Sequence, residues 1–236
     1  MIHVGLDDTD TLDTPGTNQL ARDLVQTVAL GYRCLRITRH QLLDDPRVPY
    51  TSHNGSASIL LQPLGMTDLE QLTGRLRERM LQWFVAGSDP GLCVAEAVPA
   101  GVVDFARRCQ RELVDQAAAR ALAAKCGIYL EGLGGTEGGV IGALAAVGLS
   151  ATGDDGRLVQ IGTWPDDLSG PQNVATLEAR GVEVRCLDTH ESITVGVVDV
   201  GKHLRANLRG NRAVLFVQPT PPTGSSVSSW TAVRLK

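Results

Sequence analysis

Three carboxylates fall within four residues at Asp7, Asp8 and Asp10, with Thr9 between them, directly after the apolar run Ile2-His3-Val4-Gly5-Leu6. Charges this close repel one another unless a cation or several N–H donors neutralise them, and a loop at the end of a strand can aim two or three of them at one ion. Magnesium suits such a set. It takes hard oxygen ligands, keeps several waters, and is commonly shared between one or two carboxylates and the phosphates of a substrate, where it offsets charge in phosphoryl transfer. The other reading of the cluster is an acidic turn whose aspartates cap the following helix. A strand leading straight into it favours the metal. Asp13 either extends the cluster or is a turn residue.

A second segment, Gly132-Leu133-Gly134-Gly135-Thr136-Glu137-Gly138-Gly139, is followed by the small-residue run Val140 to Leu149. Its glycines permit backbone conformations closed to other residues and can leave consecutive N–H groups free to converge on an anion. A helix starting there adds its N-terminal dipole and unpaired amides, and Thr136 adds a hydroxyl donor, so Gly134, Gly135, Thr136, Gly138 and Gly139 are candidate phosphate-binding positions. The order and spacing match neither the P-loop nor the dinucleotide fingerprint, and a hinge or close-packing loop is the competing reading. A third segment, His53-Asn54-Gly55, could set an imidazole and an amide beside a phosphate. It could equally be a type I′ hairpin turn, for which Asn-Gly between two strands is the usual signal.

The elements that must position these groups follow from periodicity. Ile2 to Leu6 reads as a buried strand and Gln19 to Leu30 as a helix, which puts the aspartates on a strand-to-helix loop. Strands are expected at Cys34 to Thr38 and Ala57 to Leu61, with the polar stretch Asp44 to Pro49 a loop between them. Thr67 to Trp83 reads as a helix capped by Thr67 with Glu70 three residues on. Val94 to Val98 is a candidate strand, and Asp104 to Cys126 a helix broken near Val114 and ended by Gly127. Beyond Asp155 the pattern turns to strands, at Leu158 to Gly162, Val182 to Leu187, Ile193 to Val200 and Ala213 to Gln218, with one helix at Gln172 to Arg180. A small α+β unit results. The tail Pro219 to Ser229, rich in Pro, Ser and Thr, is expected to be extended or mobile.

Bulk properties narrow the class. The 236 residues are 43% hydrophobic and 20% charged, enough for a globular core, and a formal net charge of −4 gives no general pull toward nucleic acid. The five cysteines are scattered and form no C-x-x-C pair, which argues against a disulfide framework or a zinc ribbon and for a reducing, cytoplasmic setting. No apolar stretch is long enough to span a bilayer, so no membrane partner is expected.

Taken together, Val4-Gly5-Leu6-Asp7-Asp8-Thr9-Asp10, then Pro49-Tyr50 leading to Asn54-Gly55, then Gly138-Gly139-Val140-Ile141-Gly142-Ala143-Leu144-Ala145-Ala146-Val147-Gly148 resemble the archaeal tRNA(Ile) agmatidine synthases in order and spacing. The resemblance implies an α+β protein with a mixed α/β, kinase-like ATP/Mg-binding domain over residues 1–152 and a smaller ferredoxin-like domain over 153–236. It implies ATP and Mg2+ as cofactors, with Asp7, Asp8 and Asp10 holding the metal and triphosphate. Thr9, His53, Asn54, Gly55 and the glycine-rich positions would then line the nucleotide site. Thr17, in Gly16-Thr17-Asn18-Gln19-Leu20, is the candidate for the threonine that the family phosphorylates on itself. The activity implied is that of an ATP-dependent kinase- or synthetase-like enzyme that activates a substrate by phosphoryl transfer and then admits an amine. The synthases continue into an OB-type domain and a zinc ribbon that grip tRNA, and neither is found in this sequence. The acceptor is therefore expected to be a small molecule, or a tRNA wobble cytidine reached with a partner chain. The alternative to both is a nucleotide-binding scaffold without turnover.

Overall fold

The computed structural model describes residues 1–11, 14–48, 54–220 and 229–235. It divides into two units, Met1–Thr152 and Gly153–Lys236. The first begins with β1 (Ile2–Asp7), α1 (Thr17–Thr27), β2 (Tyr32–Gln41), β3 (Gly55–Pro63), α2 (Leu69–Trp83) and β4 (Gly91–Ala95). It continues with α3 (Ala100–Cys109), α4 (Gln116–Cys126), β5 (Tyr129–Gly132) and α5 (Val140–Thr152). Its strands lie in the order β5-β4-β1-β3-β2, and every neighbouring pair is antiparallel. Residues 2–95 thus trace β-α-β-β-α-β with β1 and β3 central, the split βαβ arrangement of ferredoxin-like units. That topology was expected after residue 152.

Side-chain alternation along β1 sorts the two faces of the sheet. Ile2, Val4 and Leu6 are fully buried and turn to the face that carries α1, whose Leu20, Ala21 and Leu24 are buried. His3, Gly5 and Asp7 turn to α5, an apolar helix with buried residues all round its circumference. There His3 Nδ1 meets Ser150 Oγ at 3.1 Å. Gly5 makes that contact close, because a Cβ at this position would stand 2.0 Å from the Ala143 carbonyl oxygen. Behind α5, Val102, Phe105 and Ala106 of α3 and Ala119 and Ala123 of α4 complete the core.

Several boundaries differ from the sequence reading for local reasons. α2 is capped by Asp68, whose carboxylate accepts the N–H groups of Glu70 and Gln71, rather than by Thr67. The break expected near Val114 falls between α3 and α4, α3 starts at Ala100 rather than Asp104, and Asp115 caps α4 by accepting the Ala118 N–H at 2.7 Å. Gly127 ends it in the left-handed region at φ 63°, as its position implies. β4 starts three residues earlier than expected, because its register with β1 pairs Asp7 with Gly91 and His3 with Ala95.

The second unit contains β6 (Arg157–Ile161), β7 (Trp164–Pro165), β8 (Pro171–Asn173), α6 (Val174–Ala179), β9 (Val182–Cys186), β10 (Val197–Asp199), β11 (Asn207–Arg209), β12 (Arg212–Pro219) and β13 (Ser229–Ala232). β12 is its spine, parallel to β9 and antiparallel to β11 and β13. The β11–β12 link turns through Gly210 at φ 54° and Asn211 at φ 62°, the two left-handed residues that a type I′ hairpin needs. α6 is shorter than the helix expected from Gln172, since Gln172 and Asn173 belong to β8 and pair with β10. Among the described residues it is the only helix of this unit. The middle of the tail, residues 221–228, lies outside the described residues. The chain is α+β, its five cysteines are free, and among the described residues no helix is long and apolar enough to cross a membrane.

The Gly5 contact is testable. Overpacking a buried helix–strand contact costs about 1–3 kcal/mol, so Gly5→Ala is expected to lower the thermal midpoint. An unchanged midpoint would contradict the close approach of α5 to β1.

Candidate active site

β1 delivers its last residue, Asp7, to the sheet edge under α5, and the chain leaves the sheet at once through Asp8, whose φ of 48° lies in the left-handed region that aspartate tolerates better than most residues. Thr9 is buried and turns inward. Pro15 and Gly16 then set the start of α1, and Gly16 occupies the cap position without a side-chain bond. Thr17 is therefore the first residue of the helix, two residues earlier than the periodicity implied. Its hydroxyl donates to Asp10 Oδ1 at 3.0 Å and accepts from the Thr9 hydroxyl at 3.0 Å. Three of the expected residues are thus joined in one hydrogen-bonded chain.

The carboxylates are electrostatically frustrated. Burial pushes the Asp7 carboxyl well above its ordinary range, and the charge of Asp8 adds to it. Burial also lifts Asp8, to about 6, with further contributions from Asp89 and Asp10. For both residues the charged neighbours that act on the carboxyl are other aspartates. Among the described residues, no three Asp, Glu, His or Cys side chains already converge as a metal cage.

Asp89 is the residue that sequence reasoning missed. It stands just before β4 and ties three segments together. Its N–H donates to the Asp8 carbonyl at 3.1 Å, and its own carbonyl accepts the Gly139 N–H at 3.0 Å. Its side chain accepts the Thr136 N–H at 2.7 Å and the Thr136 hydroxyl. The acidic loop and the glycine-rich loop therefore meet at this one residue, although 47 positions separate Asp89 from Thr136. The local sequence Ser88-Asp89-Pro90 carries no sign of that pairing.

The glycine-rich loop is correspondingly less open than expected. The N–H groups of Thr136 and Gly139 are spent on Asp89, and the Glu137 N–H donates to the Gly134 carbonyl at 3.0 Å. On its other side the loop is held by α4, where Gln116 Nε2 donates to the Thr136 carbonyl at 3.0 Å and Arg120 pairs with Glu137. Two glycines are required by contact. Gly135, at φ 60°, would put a Cβ 1.7 Å from Asp89 Oδ1, and Gly142, in the first turn of α5, would put one 1.8 Å from Asp7 Oδ2. Any side chain at either position would push a carboxylate aside.

Asn54 and Gly55 sit at the same end of the sheet, at the start of β3. Gly55 pairs with Gln41 as part of the strand, and the β2–β3 connection is far longer than two residues, so Asn-Gly is not a type I′ turn. The Asn54 amide donates to the Leu43 carbonyl at 2.7 Å, which closes the base of that connection. His53 lies outside the described residues, as does Asp13.

The fold is an α+β protein built on a split βαβ sheet, with an acidic strand end and a glycine-rich helix start brought together on it. Solved structures with the same fold exist. The chain is similar to a tRNA fluorescent labeling enzyme at 26% identity and a TM-score of 0.55, covering 62% of this chain and 35% of that one. It is similar to the complex of TiaS with tRNA(Ile2) and ATP at 25% identity and a TM-score of 0.51, covering 62% and 36%. The apo form of TiaS, a tRNA(Ile2) agmatidine synthetase, matches in fold at 24% identity and a TM-score of 0.54, covering 62% and 35%. The likeness is to the family that the sequence motifs resemble, and the chain spans about a third of the length of these neighbours. No protein-family model and no curated protein sequence matches it.

The raised carboxyl of Asp8 has a signed consequence. Its folded value of about 6 exceeds the ordinary 3.8, so its contribution to stability is fully present below pH 3.8 and is lost as pH rises through about 6. The ligand-free Asp8→Asn variant is expected to lose less stability than the wild type between about pH 4 and pH 6, read from paired thermal melts. Parallel melting curves for the two proteins across that range would contradict the crowding of charge at Asp8.

Proposed function

We propose that the chain binds ATP with magnesium at the end of β1 and activates a substrate by phosphoryl transfer. The observation that carries this reading is the Thr9–Thr17–Asp10 hydrogen-bonded chain, set beside carboxylates whose mutual repulsion calls for a cation. A hydroxyl already aimed at a carboxylate is the arrangement of an activated nucleophile or of a group that orients one. Thr17 Oγ1 would attack the γ-phosphorus of ATP and pass its proton to Asp10, while the bond from that phosphorus to the β–γ bridging oxygen breaks and ADP leaves.

The donor set fits magnesium. Asp7, Asp8 and Asp10 are hard oxygen donors on one short loop, and fewer than three converge in advance, which suits an ion that completes its shell with phosphate oxygens and water. Bound there, magnesium would offset the charge on the transferring phosphoryl group. Asp7 is held from behind by α5 and Asp8 by its left-handed backbone, so both are positioned without a ligand. The glycine-rich loop and the first turn of α5 are the candidate cradle for phosphate, with Thr136 solvent-exposed and its amide and hydroxyl held by Asp89 in the nucleotide-free chain. Asn54 and Gly55 lie at the rim of the same sheet end and are candidates for the nucleoside side.

ATP as the donor is supported by the TiaS complex, which holds ATP with its tRNA. A tRNA acceptor, rather than a free small molecule, is supported by the tRNA(Ile2) held in that complex and by the likeness to a tRNA labeling enzyme. An amine as the second substrate follows the sequence resemblance.

Incubation with ATP–Mg, with ADP, AMP and pyrophosphate followed separately, tests the enzyme reading. Asp8→Asn and Thr17→Ala are each expected to lower turnover by at least about a hundredfold, and Thr17→Ser to retain much of it. Nucleotide binding without turnover in the wild type would leave a scaffold, and neither binding nor turnover would refute the proposal. For tRNA, a gel shift that weakens as salt rises is expected; no shift at low salt would remove tRNA as a partner of this chain.

A further inference from the structure

We propose that Asp89 acts as an internal stand-in for phosphate. In the nucleotide-free protein its carboxylate occupies the amide and hydroxyl of Thr136, the donors that the glycine-rich loop would present to an anion. A phosphate engages the loop by displacing it. This inference rests on the nucleotide reading of the same site and adds a named competitor to it.

Three features support it. The pairing is an anion's pairing, since one carboxylate accepts both a backbone N–H at 2.7 Å and a side-chain hydroxyl from a single residue. The backbone around it is shaped to the carboxylate, with Gly135 at φ 60° leaving the space that Asp89 Oδ1 fills. The carboxylate is half-buried and Thr136 is exposed, so a soluble anion can reach the contact without unfolding the site.

Displacement has a direction. The Asp89 backbone is pinned to Asp8 and Gly139, so only its side chain can leave Thr136, and the freed carboxylate stays beside Asp8. A phosphate without a metal would therefore bind against the charges of both Asp8 and Asp89. A phosphate that arrives with magnesium brings the positive charge that both need. Asp89 thus makes the loop discriminate between metal-free and metal-bound polyphosphate.

The test uses tripolyphosphate as the probe, measured by calorimetry with and without magnesium, on the wild type and on Asp89→Asn. Asparagine keeps an acceptor for the Thr136 N–H and removes the charge. The variant is expected to bind metal-free tripolyphosphate about tenfold more tightly than the wild type, as the loss of one competing charge-assisted bond implies. It is also expected to gain less affinity from magnesium. Equal or weaker metal-free binding by the variant would overturn the proposal. A second measurement needs no variant: in the wild type, tripolyphosphate with magnesium is expected to shift the Thr136 amide and the Asp89 side-chain carboxyl resonances together. A probe that binds while the Asp89 carboxyl resonance stays fixed would overturn the displacement. If the wild type binds no polyphosphate under any condition, the nucleotide reading itself fails.

Discussion

The repulsion among Asp7, Asp8, Asp10 and Asp89 is the constraint around which the first unit is arranged. Four carboxylates at one end of a sheet hold together only because backbone geometry fixes them, and each is fixed differently. Asp7 is pressed under α5 across from Gly142. Asp8 is turned by a left-handed backbone, Asp10 is anchored by Thr17, and Asp89 is bound to Thr136. Such crowding costs stability, and it is the feature on which the proposed cation site rests.

The close packing of α5 makes this possible. A helix of ordinary side chains could not come near enough to β1 and β4 to cover Asp7. Gly5 in β1 and the small residues of α5 let the backbones approach, and the same approach explains why the helix is buried on every face. Among the residues that allow the contact, Gly142 also leaves the space that the Asp7 carboxylate fills under the helix.

Much of this was legible in the sequence because the governing signals are local. An apolar run ending in D-D-T-D marks a strand and its terminal loop, Gly127 marks a helix end, and the glycine-rich run into Val140 marks a helix start. Other features depend on partners far away in the chain. Asp89 belongs to the site only because β4 pairs with β1 in the register Asp7 to Gly91, and reading β4 from Val94 left Asp89 in an anonymous loop. Asp68 outcompeted Thr67 as a cap, a choice between adjacent residues that spacing alone does not decide. The split βαβ order of residues 2–95 was not expected there, because strand order is set by pairing, which hydrophobic periodicity does not report. The short strands of the second unit, such as β11 and β13, gain their identity from β12 and not from their own three or four residues.

What unites these observations is a single claim, that the acidic strand end and the glycine-rich helix start form one metal–nucleotide site. Manganese in place of magnesium tests it most directly, because the paramagnetic ion broadens the resonances of nuclei close to it. Added in trace amounts together with ATP, it is predicted to broaden the backbone amides of Asp7, Asp8, Thr9 and Asp10 and those from Gly134 to Gly139 together. Broadening confined to one of the two loops, or centred elsewhere in the chain, would contradict it.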